Sequence, residues 1–151
     1  MRQALREAQK AGELGEVPIG AVVVHQGRII GRGHNSTVAL QDPTAHAEML
    51  AITAASSALH SWRLEDCILY VTLEPCPMCA GACLNARIPR VVYGASEPKF
   101  GALGSVVDLR APTGYNHRLD ASGGLLAADS AELLRGFFRA LRERKNQDDM
   151  S

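Results

Sequence analysis

The chain has 151 residues, of which 46% are hydrophobic and 21% are charged, so it can bury the core of one domain. Its 16 basic and 16 acidic residues cancel, which excludes a globally basic protein and restricts any nucleic-acid contact to a local patch. No apolar run approaches the roughly 18 residues of a membrane span, and the four cysteines lack a disulfide-like pattern, so we expect a reducing, cytoplasmic location and no membrane association.

The N-terminal third of the chain predicts a helix followed by a β-hairpin. Apolar residues recur at helical spacing in 1–10, and the helix is expected to end near Gly12. This charged segment lacks the apolar core of a signal peptide. A β-branched apolar run, 19–24, and a returning segment, 28–33, then flank a tight turn that begins with His25, a pattern typical of an antiparallel hairpin. We expect His25 to be a solvated turn residue.

A second helix is predicted at the motif Thr44-Ala45-His46-Ala47-Glu48. A loop runs up to Asp42-Pro43, Thr44 suits the N-cap position, and the helix is expected to continue to about Ala58. His46 then lies at the N-terminal end of an apolar face. A single histidine in such a place is usually a core residue, so its interpretation depends on a second motif.

The second motif is Glu74-Pro75-Cys76-Pro77-Met78-Cys79, which begins 28 positions after His46. It follows a continuous apolar run, 67–73, of the kind expected for a strand buried on both faces. Pro77 favours the first turn of a helix, and this places Cys76 at the helix N-terminus, where backbone N–H groups lower the pKa of a thiol. The helix is expected to end before Pro89, and 90–94 predicts another strand.

Together the two motifs offer one imidazole, from His46, and two thiolates, from Cys76 and Cys79, which is a ligand set that suits zinc. Three protein ligands leave a position for water, as in catalytic zinc sites. Cys83 could in principle close the site as a fourth ligand, but a small core residue is the favoured interpretation. Glu48 is poorly placed to bind the same ion and well placed to exchange protons with a bound water.

The last third of the chain predicts a glycine-rich loop, a short strand and a long helix. The loop, 95–105, carries Lys99 and can bring its backbone close to a ligand, although a plain connector would have the same composition. A strand is predicted at 118–121, a helix at 126–145 and a frayed tail at 146–151. The C-terminal end of the helix is basic, which often only compensates the helix dipole.

This order of elements predicts a single α/β domain over 1–151, with a mixed sheet of about five strands and helices on both faces. Two helix N-termini, at His46 and Cys76, are expected to face each other at an edge of the sheet. Folds of this kind usually bind their ligands there.

The chain resembles the bacterial tRNA-specific adenosine deaminases, which have the three-layer cytidine-deaminase-like fold, over essentially its whole length. His-x-Glu followed by Pro-Cys-x-x-Cys is the known signature of zinc-dependent nucleobase deaminases. The stretches that resemble the tRNA branch are 16–24, 33–35, 42–48, 69–82, 87–95, 99–105, 116–118 and 137–142. The resemblance implies hydrolytic deamination of the wobble adenosine of a tRNA anticodon stem-loop, most readily an arginine tRNA, to inosine. It also implies a homodimer with no organic cofactor.

The resemblance further assigns roles to individual residues. One zinc ion per chain would be bound by His46, Cys76 and Cys79, and Glu48 would be the proton shuttle. Asn35 and the backbone of Ala47 would hold the flipped base. RNA would be contacted by Lys99, Phe138, Arg139, Arg142 and Lys145.

Two features depart from the pattern of the family. Many members have aspartate where this chain has Glu97, and the extra methylene affects the hydrogen bonding of the loop rather than the chemistry. The N-terminus is short by comparison, so part of the first helix is expected to be missing.

Two other functions share part of this pattern. A free-base or nucleotide deaminase of guanine or cytosine type has the same zinc motif but needs no basic C-terminal helix. A non-catalytic zinc module that binds RNA or protein would keep its function after Glu48→Ala. Turnover of free bases compared with an anticodon stem-loop separates the first alternative from an RNA-editing enzyme.

Overall fold

The computed structural model describes residues 1–151 and contains a five-stranded mixed sheet with helices on both faces. The helices are α1 (Arg2–Glu13), α2 (Thr37–Leu40), α3 (Ala47–Leu59), α4 (Pro77–Asn85) and α5 (Ala127–Asp148). The strands are β1 (Gly20–His25), β2 (Arg28–His34), β3 (Cys67–Leu73), β4 (Arg90–Ala95) and β5 (Asp120–Ser122). The predicted fold class is confirmed. None of the helices is long and apolar enough to cross a membrane.

The strands lie in the order β2-β1-β3-β4-β5, with β1 antiparallel to both neighbours and β3, β4 and β5 parallel to one another. The hairpin turns at Gln26 and Gly27, whose φ angles of 51° and 74° are those of a two-residue turn matched to strand twist. His25 therefore belongs to β1 and is half-buried, so its prediction as a solvated turn residue is wrong.

Helices α3 and α4 pack on one face of the sheet, while α1 and α5 pack on the other. The main core joins α3 and α4 to β1, β3 and β4. At Gly33 of β2 the helix α3 comes so close that a Cβ atom would overlap the backbone of Ala47 and Ala51. This close approach fixes the N-terminus of α3 against the end of β2, and it is there that the predicted site residues lie.

The start of α3 differs from the prediction. The N–H and the hydroxyl of Thr44 both donate to Oδ1 of Asp42, at 2.8 and 2.7 Å, so Thr44 is part of a turn and does not cap the helix. The helix begins at Ala47, and His46 is the N-cap residue. Helix α2 also lies within the segment that was predicted to be a loop.

Two boundaries near the C-terminus also differ. Strand β5 begins at Asp120, two residues later than predicted. Helix α5 continues to Asp148, so the prediction of a frayed tail is wrong for 146–148. No glycine or proline follows Gly136 in this helix, so nothing in its sequence ends it earlier.

Candidate active site

The two sequence motifs meet beyond the end of β3, where His46, Cys76 and Cys79 form a cluster. His46 and Cys76 are the N-cap residues of α3 and α4, and both have extended backbone conformations. Nδ1 of His46 lies 3.6 Å from Sγ of Cys76 and 3.5 Å from Sγ of Cys79. Tetrahedral zinc, with Zn–S of about 2.3 Å and Zn–N of about 2.0–2.1 Å, separates such atoms by about 3.6 Å. The residues therefore fit a metal ion.

No fourth side chain joins this cluster: its members are these three residues alone. Cys83 is fully buried in the hydrophobic core, and burial raises the pKa of its thiol. The interpretation of Cys83 as a core residue is confirmed. The arrangement has the three-ligand composition of a catalytic metal site rather than the four-ligand composition of a structural one.

The pKa values of the two clustered cysteines are shifted in opposite directions. The neighbouring Cys79 thiol, helped by His46 and opposed by burial, lowers the pKa of Cys76 to about 4. The pKa of Cys79 is raised, first by its contact with Cys76, then by burial and by the Glu48 carboxylate. Cys76 is therefore a thiolate at neutral pH, and a metal ion would replace the proton on Cys79.

Glu48 lies in the first turn of α3, and only 4% of its surface is exposed. Burial raises the pKa of its carboxyl, while its own backbone N–H and the Cys79 thiol oppose the shift. The residue lines the same cavity as His46 and Cys76. A buried carboxyl with a raised pKa beside a metal site suits a general acid and base.

A cavity of about 410 Å³ opens over the cluster, a size within the range of small-ligand sites. Asn35 lies on its wall, and its Oδ1 accepts the N–H of Ala47 at 2.9 Å. The side-chain NH₂ of Asn35 is thereby left to donate to a ligand. Since the N–H of Ala47 is used within the protein, direct contact between Ala47 and a base stays a prediction.

The predicted RNA-contacting residues meet in a second place, which we call the basic groove. Lys99 of the 95–105 loop and residues of α5 line a cavity of about 520 Å³. The residues from α5 are Leu134, Arg135, Phe138, Arg139 and Arg142. The structure thus brings Lys99 together with a helix about 40 positions further along the chain; Lys145 is not part of this lining.

Glu74 is a buried carboxylate on the pocket wall that binds the 95–105 loop, and it was not predicted as a functional residue. Its side chain accepts the N–H groups of Glu97, Leu103 and Ser105, at 3.2, 3.0 and 3.2 Å, and the hydroxyl of Ser105. Burial would raise its pKa, but these hydrogen bonds outweigh it and hold the pKa below its ordinary value. At Gly101 a Cβ atom would overlap this carboxylate. The sequence feature that could have indicated this role is the position of a charged residue directly after a buried strand.

The features of this fold and site are those of one class of proteins, the zinc-dependent nucleobase deaminases. The class combines a mixed sheet between helices with a His-Cys-Cys set that can hold a metal ion and a carboxyl group beside it.

Comparisons with known proteins narrow this class. The model of the MafB19-like deaminase family matches residues 1–142. The tRNA-specific adenosine deaminase of Bacillus subtilis (strain 168) is 50% identical, over 96% of this chain and 90% of the relative. The protein of the same description from Haemophilus influenzae is 47% identical, over 96% of this chain and 84% of the relative.

Among solved structures, the chain is more similar to a tRNA deaminase than to a guanine deaminase. A structure from a study of A-to-I editing by tRNA:A34 deaminases at the wobble position of transfer RNA is 51% identical, with a TM-score of 0.86 over 89% of this chain and 97% of that one. The guanine deaminase of Bacillus subtilis is 36% identical, with a TM-score of 0.62 over 74% of this chain and 82% of that one. The chain belongs to the MafB19-like deaminase family and to the tRNA-specific adenosine deaminases, which confirms the resemblance seen in the sequence.

Proposed function

We propose that the chain is a hydrolase that converts adenosine to inosine at the wobble position of a tRNA anticodon. The observation that carries the proposal is a pocket lined by the predicted deaminase residues and a basic groove, both lined in part by the 95–105 loop, in a chain 50% identical to a tRNA-specific adenosine deaminase. Arginine tRNA is the substrate that the family resemblance favours. Because the net charge is zero, the basic groove is the local patch that RNA binding requires.

His46, Cys76 and Cys79 would bind one zinc ion per chain. When bound, zinc lowers the pKa of a coordinated water to about 7 and so supplies a hydroxide near neutral pH. Metal analysis of the purified protein tests this assignment, with an expected content near one per chain. Cys83→Ala should leave that content unchanged, whereas a loss of metal in this variant would mean that Cys83 is a ligand.

Glu48 would move the protons of the reaction. Its carboxylate takes a proton from water as the water oxygen bonds to C6 of adenine, and passes that proton to N1. It then transfers the second proton of the water to the departing amino group, so that adenosine and water give inosine and ammonia. The NH₂ group of Asn35 donates to an acceptor on the base and holds C6 over the site. No organic cofactor is needed.

The basic groove would bind the RNA around the target nucleotide. Lys99, Arg139 and Arg142 suit phosphates, and Phe138, with 40% of its surface exposed, suits a base or sugar face. An unpaired base in an anticodon loop costs less to flip out than a base in a duplex. Since few cations take part, we expect a modest dependence of affinity on salt.

A homodimer is supported by the outer surface of α3 and α4. The only charged residue in these two helices is Glu48, which is buried. A helix that faces water normally carries a charged stripe, so two adjacent helices without one suit contact with a second copy of the chain. Analytical ultracentrifugation should show a dimer, and a monomer at micromolar concentration would contradict this part of the proposal.

The cytoplasm is the location that fits this activity, because tRNA substrates are there and the four cysteines are free.

A panel of substrates tests the proposed activity. Stem-loops with A, G, C or U at the wobble position are incubated with the protein, beside free guanine, cytosine and adenosine, and ammonia and inosine are measured. Only the stem-loop with adenosine should react. Turnover of free guanine or cytosine without turnover of the stem-loop would instead establish a free-base deaminase.

A further inference from the structure

Phe100 and the residue before it in the chain connect the pocket with the basic groove along the backbone. The side chain of Phe100 lines the pocket together with Asn35, His46 and Glu48, yet 66% of its surface is exposed. The preceding residue, Lys99, lines the basic groove. An RNA strand that placed one base in the pocket and its phosphates in the groove would therefore come close to Phe100.

The ring itself has no aromatic or cationic partner in the protein. The aromatic ring pair of the chain is Phe137 with Phe138, and the cations that stack on a ring stack on Trp62. Single exposed apolar side chains are common and by themselves mean little. Phe100 differs from the other large exposed apolar residues of the chain because it lines the candidate active-site pocket.

The backbone that carries the ring is held firmly. The N–H of Gly101 donates to the carbonyl of Glu97 at 3.0 Å, and the N–H of Ala102 donates to the carbonyl of Pro75, next to a metal-site cysteine, at 2.9 Å. The carboxylate of Glu74 accepts further N–H groups of this loop. The exposed ring is thus presented on a fixed loop, which lowers the entropic cost of binding against it.

We propose that the ring of Phe100 stacks on the base next to the target adenosine, and so contributes to RNA binding and to the choice of flanking nucleotide. Flipping the target base exposes one face of the neighbouring base. An aromatic side chain can stack on that face whichever base it is, because every base has a π-face. A purine has the larger face, so purines should be preferred at that position. The inference rests on the proposed function.

The test compares Phe100→Leu with the wild type on an anticodon stem-loop. Leucine keeps apolar bulk but removes the aromatic face, and kcat/KM should fall by about 5- to 100-fold through a higher KM. Trp62→Leu is the matched control, because Trp62 is 58% exposed and lies beyond the C-terminal end of α3, away from the site. This control should change kcat/KM by less than about twofold.

Stem-loops with an abasic nucleotide on the 5′ or the 3′ side of the target identify the stacked base. The wild type should lose activity on one of them, and there the difference between wild type and Phe100→Leu should vanish. The inference is overturned if Phe100→Leu matches the wild type on the intact stem-loop, if its defect persists on both abasic substrates, or if the variant changes oligomeric state instead. A wild type that fails to deaminate the intact stem-loop would refute the proposed function itself.

Discussion

The pocket and the basic groove of this protein are built in opposite ways. In the pocket Asn35 and Glu48 are almost completely buried, and the reactive groups lie at the ends of strands and at helix N-termini. The groove consists of side chains from an exposed loop and from one face of α5. Bond-breaking chemistry needs atoms held within fractions of an ångström, which a packed core supplies. Binding a phosphate chain needs only charges at suitable positions on the surface.

Glu48→Gln should have the largest effect, because it should abolish most of the turnover in the pocket without weakening RNA binding in the groove. The variant keeps the shape of the side chain but cannot take up a proton, so turnover should fall by about 10²–10⁴-fold. Binding of the stem-loop and the metal content should stay as in the wild type. Glu13→Gln, at an exposed carboxylate of α1, is the control. A fully active Glu48→Gln would show that protons move by another route, or that the pocket is not the catalytic site.

Arg139→Ala combined with Arg142→Ala should weaken RNA binding and leave the chemical step intact. The Kd for the stem-loop should rise at least about tenfold, because a hydrogen bond to a charged group contributes about 1.5–3 kcal/mol. The slope of log K against log salt concentration should fall by about 0.7 for each phosphate that the protein no longer neutralises. Saturating kcat should change little.

Arg28→Ala combined with Arg90→Ala removes the same charge from the opposite end of the sheet, where β2 and β4 begin, and should leave the Kd unchanged. If both double variants weaken binding equally, the RNA is attracted by overall charge and the groove has no special part in binding.

Glu74→Gln should loosen the connection between the two regions. A glutamine offers one acceptor oxygen to the donors that now meet the carboxylate, so at least one buried N–H or hydroxyl group loses its partner. The free energy of unfolding in urea should fall by about 1–3 kcal/mol, and KM for the stem-loop should rise a few-fold. Ser105→Ala removes one donor alone and should have a smaller effect on both. Equal behaviour of Glu74→Gln and the wild type would mean that the loop is held by other contacts.

Glu7→Gln should affect stability without touching either region. Glu7 is 4% exposed and contacts Lys10 and His34, at 3.0 and 3.2 Å. Burial would raise its pKa, but these partners outweigh burial and lower it. A carboxylate with a lowered folded-state pKa stabilises the protein above its unfolded-state pKa of about 4.3, and that contribution is lost as the pH falls through the folded-state value.

Urea unfolding between pH 7 and pH 3 measures this effect. The stability difference between wild type and Glu7→Gln should therefore be present above about pH 4 and should shrink as the pH falls below that value. The exposed Glu13→Gln should show no such convergence. A stability difference that grows as the pH falls below about 4 would reverse the assigned sign and exclude the ion-pair explanation.

The chemistry of the pocket could be read from the sequence because it depends on residue types at short spacing. His46 with Glu48, and Cys76 with Cys79, are close in sequence and therefore close in space under almost any local structure. The strand β3 was also predicted correctly, because a short continuous run of apolar residues is typical of a strand buried on both faces. Thr44 was misread as a helix cap because an Asx turn and an N-cap use the same residue types.

By itself, the sequence predicted the fold class, indicated His46, Cys76 and Cys79 as candidate metal ligands and resembled the family to which the chain belongs, since these depend on periodicity, local motifs and matching stretches. Only the tertiary structure decided that Glu74 holds the 95–105 loop, that Lys99 meets Arg139 and Arg142, and that Phe100 is exposed on the pocket wall. The physical reason is distance along the chain. Contacts between segments about 30 to 40 positions apart are created by the pairing of strands and the packing of helices, and no spacing in the sequence records them.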